Sequence, residues 1–160
     1  MAEEVKYRIL LIEDNPGDVR LTQEFLKGNK HLEKLFAVHD GDEGIKYLRK
    51  QSPYENEPAP SIVILDLNLP KKNGFEVLKE IKTDAELRYL PVIILTSSES
   101  ENDIQQCYDL HANCYISKPV DFESFSKLFN SLIDFWCRMA RIPRYSDKVL
   151  NNHNDDGTAA

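Results

Sequence analysis

The stretch Ile62-Val63-Ile64-Leu65-Asp66-Leu67-Asn68-Leu69-Pro70 decides the fold. Its first four residues are all aliphatic, so neither face of the segment is left for water. A strand of that kind is buried on both sides, the condition met in parallel sheets covered by helices. It then ends on a carboxylate, Asp66. Four further apolar runs lie outward from it: Tyr7 to Ile12, Leu35 to Val38, Val92 to Leu95, and Tyr115 with Ile116. Segments with helical spacing separate them. Asn15-Pro16 opens the first, with proline at a first helical position, followed by Val19, Leu21, Phe25 and Leu26. Asp40-Gly41-Asp42 precedes Ile45, Tyr47 and Leu48, and Asn73-Gly74 precedes Phe75, Leu78 and Ile81. Ser100 starts a fourth segment, with Ile104, Cys107, Tyr108 and His111, and Asp121 starts a fifth. Strand and helix thus alternate five times, which predicts an α/β, doubly wound fold with a parallel five-stranded sheet. In such sheets ligands sit beyond the carboxyl ends of the strands, so the residues after each run are the candidates for function.

Composition narrows the function. The chain of 160 residues carries 20 basic and 27 acidic side chains, net charge −7. A binder of phosphate backbones carries the opposite excess, so direct nucleic-acid binding is not expected. No unbroken apolar run exceeds four residues, whereas a membrane helix needs about 20. The start, Met1-Ala2-Glu3-Glu4, is acidic and lacks the apolar stretch of a secretory signal. A cytoplasmic protein is expected. Cys107, Cys114 and Cys137 are odd in number and form no C-x-x-C pair, which suits reduced, packed thiols. His31, His39, His111 and His153 show no metal spacing. Residues 1–6 read as a lead, 7–140 as one domain, and 141–160 as a polar, largely disordered extension with no effector domain. Gln51 to Pro60, with three prolines, reads as a surface insertion.

The strand ends carry complementary chemistry. Glu13 and Asp14 follow the first run, Asp66 and Asn68 the third, Thr96, Ser97 and Ser98 the fourth, and Lys118-Pro119 the fifth. Adjacent carboxylates attract a divalent cation, and hard oxygen ligands suit Mg²⁺. A carboxylate can be a nucleophile toward phosphorus. A metal on one side and a lysine on the other can neutralise a transferring phosphoryl group. Taken singly, each residue has a plainer reading: an Asp after a strand often caps the next helix, and a lone lysine is usually solvated surface. Their convergence on one sheet edge is what argues for a site.

In this ordered set the chain resembles the receiver domain of two-component response regulators, over roughly Tyr7 to Trp136. It is most similar to the small single-domain regulators paired with bacterial phytochromes. Leu11-Ile12-Glu13-Asp14-Asn15-Pro16-Gly17-Asp18, the proline-rich insertion before Ser61, and the stretch from Phe135-Trp136 to Ile142-Pro143 carry that narrower likeness. The resemblance implies a flavodoxin-like (βα)5 receiver with strand order 2-1-3-4-5. It implies Asp66 as phosphoacceptor. Mg²⁺, or Mn²⁺, would be held by Asp14, Asp66 and the backbone carbonyl of Asn68, with Glu13 acting through water. Lys118 would pair with a phosphoryl oxygen, across a cis bond to Pro119. Thr96 would swing toward the phosphoryl group and Tyr115 would turn inward behind it. Asn68 and Ser98 would tune hydrolysis. The partner implied is a sensor histidine kinase, phytochrome-like in the narrower match. The protein would catalyse only its own phosphorylation and slow dephosphorylation, and so would not be an enzyme in the ordinary sense.

Output is then expected from the receiver surface, by docking, relay or self-association. On a helical wheel Phe122, Phe125, Phe129, Leu132, Ile133, Trp136 and Ala140 share an arc of about 100°, and Leu128, Phe135 and Met139 widen it to about 160°. The second set predicts a homodimer surface shared with the fourth helix and fifth strand; the alternative is that residues 141–145 fold back over it. Rival functions fit less well. A haloacid-type phosphatase needs a second Asp two residues after the nucleophile, where this chain has Asn68. A P-loop enzyme needs a G-x-x-x-x-G-K-[ST] run, which is absent. A degenerate, binding-only receiver would not keep Asp14, Asp66, Thr96 and Lys118 together.

Overall fold

Each strand is followed by a helix, so consecutive strands cannot meet as hairpins and must pair in parallel. The computed structural model describes residues 6–143. It runs β1 (Tyr7–Ile12), α1 (Pro16–Leu26), β2 (Leu32–Val38), α2 (Gly41–Leu48), β3 (Ile62–Leu65), α3 (Gly74–Thr83), β4 (Val92–Thr96), α4 (Glu101–Asp109), β5 (Cys114–Ser117) and α5 (Phe122–Ile133), continued by a π-helical turn (Asp134–Met139). The sheet order is β2-β1-β3-β4-β5, all parallel. The expected doubly wound α/β architecture is therefore present.

The side-chain alternation of the strands divides the core in two. Leu10, Ile12, Val63, Leu65, Val92 and Ile94 face Ile45, Leu48, Val77, Leu78, Ile81 and Cys107 of α2, α3 and α4. Ile9, Leu11, Ile62, Ile64, Ile93 and Leu95 face Val19 and Leu26 of α1 and Phe125, Phe129, Leu132 and Ile133 of α5. Both faces are dry, which is why β1, β3 and β4 carry no polar residue in their centres. Each such Leu or Ile contributes about 1.5–3 kcal/mol by leaving water.

All five α-helices of the described residues are capped by the residues that open them in sequence. The side chains of Asn15, Asp40, Asn73, Ser100 and Asp121 accept from the N–H three residues on. Asn73 and Glu76 form a reciprocal capping box. Because Asn15 caps α1, Asp14 is free for other work.

Several boundaries differ from the sequence reading. β2 begins at Leu32, three residues before the expected Leu35. It is an edge strand, where Glu33 and Lys34 are tolerated. The Lys118–Pro119 peptide, expected cis, is trans; among the described residues the cis bond is Ser52–Pro53. Trans is favoured by about 0.5–1 kcal/mol even before proline. The insertion at 51–60 is tied down: Tyr47 Oη donates to the Pro58 carbonyl (3.0 Å), Lys34 pairs with Glu57 (2.7 Å), and Tyr54 bonds Glu43.

The end of α5 departs most. From Asp134 the chain follows the wider π turn, with Ala140 N–H donating to the Phe135 carbonyl (2.7 Å). The extra residue shifts the phase of everything beyond it, so Cys137 is buried although the wheel did not select it. Phe122, assigned to the core arc, is instead exposed, its ring against Phe25. Leu128, assigned to the outer face, is half-buried on the α1–α5 side of the core. Phe135 and Met139 are exposed as expected. Of the polar extension, 144–160 lies outside the described residues.

Candidate functional site

The site forms where β1, β3, β4 and β5 end together. Asp66 directly follows β3, and its N–H donates to the Ile12 carbonyl (3.0 Å), fixing it beside the end of β1. One carboxylate oxygen accepts from the Asn68 N–H (3.2 Å). Asp66 is only 4% exposed. Gly74 holds it from behind: a Cβ there would lie 2.3 Å from the Asp66 carbonyl oxygen and 2.5 Å from Leu67 Cα. Only glycine lets α3 start so close to the Asp66 backbone.

Glu13 and Asp14 follow β1. Glu13 is 3% exposed, its Oε1 accepting from Asn15 N–H (3.0 Å) and its Oε2 from Lys118 (2.7 Å). Asp14 is exposed. One carboxylate oxygen from each of Glu13, Asp14 and Asp66 lies within 4.8 Å of the others. Three hard oxygen donors so arranged could hold a divalent cation, with Asp14 open to solvent on the side where water would complete the shell.

Lys118, just past β5, supplies the opposing charge. Its N–H donates to the Thr96 carbonyl (2.7 Å). Its Nζ donates to Glu13 Oε2 (2.7 Å), Asp18 Oδ2 (2.8 Å) and Asp66 Oδ2 (2.9 Å). Burial disfavours the ammonium, but these three carboxylates outweigh burial and hold its pKa above the ordinary lysine value. The two buried acids divide unequally. Burial pushes the Glu13 carboxyl up to about 7, opposed by the bond from Lys118 and reinforced by the Asp66 charge. Burial also opposes the Asp66 charge, yet the hydrogen bond and charge of Lys118 prevail and hold Asp66 below the usual carboxylate range. Of the pair, Asp66 is thus the one that stays ionised.

Thr96 ends β4, is fully buried, and its Oγ1 has no hydrogen-bond partner among the described residues. A buried hydroxyl without a partner is costly and marks a group held ready for one. Ser98 and Tyr115 stand one layer out. Tyr115 Oη (2.9 Å) and Ser117 Oγ (3.2 Å) both donate to the Ser98 carbonyl, while Ser98 Oγ donates to Asp103 Oδ2 on α4 (2.6 Å). Leu128, Phe135 and Met139 belong to α5 and its π turn, not to this cluster.

Two residues escaped the sequence reading. Asp18 touches Lys118, and Asp103 holds Ser98. Asp18 was detectable in principle: it is the third residue of α1, which starts at the same sheet edge.

A model of the response regulator receiver domain matches residues 9–130. The chain belongs to the response regulator receiver family. This receiver is 42% identical to response regulator Rcp1 of Synechocystis sp. over 135 residues, 84% of this chain and 92% of that one. Among solved structures it resembles the phosphorylated cyanobacterial phytochrome response regulator RcpA, with TM-score 0.84 and 42% identity, over 87% of this chain and 99% of that one. The Mn²⁺-bound form of Rcp1 gives TM-score 0.82 and 41% identity, over 86% and 99%. The receiver is thus homologous to regulators of two-component systems, phytochrome response regulators among them.

Proposed function

We propose that this receiver accepts a phosphoryl group on Asp66 from a sensor histidine kinase and changes its docking or self-association surface in response. The observation that carries this reading is the ionised, buried Asp66 with Lys118 at 2.9 Å and two further carboxylates beside it. An Asp66 oxygen forms the new bond to phosphorus as the donor's bond to phosphorus breaks, and the electron pair leaves with the donor imidazole. Asp14, Asp66 and the Asn68 backbone carbonyl are the residues that would hold Mg²⁺, or Mn²⁺ in its place, with Glu13 acting through water. Such an ion neutralises phosphoryl charge on one side. Lys118 neutralises it on the other. Thr96, whose hydroxyl is unpartnered, donates to a phosphoryl oxygen, and Tyr115 follows through the Ser98 carbonyl. Asn68 and Ser98 flank the approach of hydrolytic water and set the lifetime. Catalysis extends only to the protein's own phosphorylation and slow dephosphorylation.

Similarity to RcpA and Rcp1 supports a phytochrome-like kinase as the donor. The cytoplasm suits that role; no helix of the described residues is long and apolar enough to cross a membrane. Residues 7–140 act as the receiver unit, with 141–160 an extension. Exposed Phe135 and Met139 support a homodimer through α4, β5 and α5; half-buried Leu128 does not add to that face.

Intact-mass spectrometry after acetyl phosphate and Mg²⁺ tests the core of the proposal. Wild type should gain about 80 Da, the phosphoryl increment, lost on chelation and absent in Asp66→Asn. A gain retained in Asp66→Asn would overturn the choice of nucleophile.

A further inference from the structure

A lysine ammonium has three N–H donors and no acceptor. In this receiver all three are used, by Glu13, Asp18 and Asp66, at 2.7, 2.8 and 2.9 Å. A phosphoryl group offers Lys118 three acceptor oxygens, and only one donor is already directed at Asp66, so a second phosphoryl contact needs another carboxylate to withdraw. The Glu13 and Asp66 side chains are 4% and 5% exposed, whereas Asp18 is 26% exposed. A carboxylate left unpaired in a buried site bears the full cost of desolvation, while one at the surface is rehydrated. Asp66 keeps its claim on the ammonium, because on phosphorylation its own bond passes to the phosphoryl group it then carries.

We propose that Asp18 is a positioning residue that occupies the third donor of Lys118 in the unphosphorylated receiver and surrenders it to the phosphoryl group. Phosphorylation then frees a carboxylate on the first turn of α1. The inference rests on the reading of Asp66 as phosphoacceptor. Local geometry favours such a hand-over. The Asp18 backbone is pinned, its N–H donating to Asn15 Oδ1 (3.0 Å) and its carbonyl accepting from buried Thr22 Oγ1 (2.8 Å). The side chain alone therefore moves. Once released, it stays in the first turn of a helix, where the exposed N–H groups favour a negative charge. Asp18 thus opposes phosphorylation in two ways, by holding Lys118 and by adding a fourth negative charge beside Glu13, Asp14 and Asp66.

The test is the affinity of the full chain for beryllofluoride, a phosphoryl mimic, with Mg²⁺, measured by titration calorimetry. Asp18→Asn should bind it about tenfold more tightly than wild type, a gain of about 1.4 kcal/mol. Asp18→Glu, which keeps the charge on a stem one methylene longer, should return the affinity toward the wild-type value. Glu24→Gln, an exposed charge further along α1, controls for net charge and should change nothing. The ¹³C resonance of the wild-type Asp18 carboxylate should move to the position of a free aspartate on adding the mimic. Equal or weaker binding by Asp18→Asn, or an unmoved resonance, overturns the proposal while the Asp66 reading stands. Wild type that binds no mimic and gains no phosphoryl mass overturns both.

Discussion

Lys118 shows how a buried charge is kept in place: three carboxylates satisfy it, and each is in turn held by a backbone hydrogen bond or a helix turn. Glu13 is the weak member of this group. Its folded pKa, about 7, lies above its ordinary 4.5, so the folded protein binds that proton more tightly than the unfolded chain. The stability it contributes is full below the lower value and is lost as pH rises through the upper one. Without metal, urea titration should show wild type losing up to about 3 kcal/mol between about pH 5 and pH 8. Glu13→Gln, fixed in the neutral form, should not follow; parallel pH profiles for the two proteins would refute the assignment. Thr96 gives the opposite case. Its buried hydroxyl lacks a partner, so the isosteric Thr96→Val should stabilise the resting protein by about 1 kcal/mol or more. The same variant should blunt the response to phosphorylation, read as the shift of Tyr115 resonances on adding a phosphoryl mimic. A loss of stability in Thr96→Val would mean that the hydroxyl is satisfied in solution. Most of this site was legible from residue type and place after a strand. Asp18 was passed over, although its place in the first turn of α1 puts it at the same sheet edge, because an acid there is already explained by the helix's own charge.

At the scale of elements, legibility followed burial. β1, β3 and β4 are dry on both faces, and their continuous aliphatic runs gave bounds that agree with the structure to within a residue. β2 lies at the edge, so water shares its pattern and its start was misplaced by three residues. The helix starts were clear because each has a side chain able to cap it. The close of α5 was not, since a wheel drawn at 3.6 residues per turn cannot anticipate a π turn. Contacts between elements make their own prediction. Gly74→Ala would press a methyl into the Asp66 carbonyl. Overpacking of this kind costs about 1–3 kcal/mol, and here the strain falls on Asp66, the proposed phosphoacceptor. Thermal unfolding should show the lower stability, and acetyl phosphate labelling a slower mass gain. Unchanged values in both would mean that α3 is not held tightly against the site.

For the whole molecule the prediction concerns its state of association. Phe135 and Met139 project from the end of α5 and Tyr108 from α4, while the core beneath is already complete. Sedimentation velocity of wild type should show a dimer, and Phe135→Asp with Met139→Asp a folded monomer. Apolar anchors of this size commonly account for much of an interface's energy, 2 kcal/mol or more each. A wild type that remains monomeric with and without a phosphoryl mimic would remove self-association from the output. The π turn beneath these residues gives that surface an unusual genetic sensitivity. A helix that has accommodated one extra residue can lose one again without disturbing the turns before it. Deleting a single codon within 134–139 would let the segment close as an ordinary α-helix. Met139 would then swing around the axis by roughly 100°, and the exposed face would be redrawn while the core upstream kept its register.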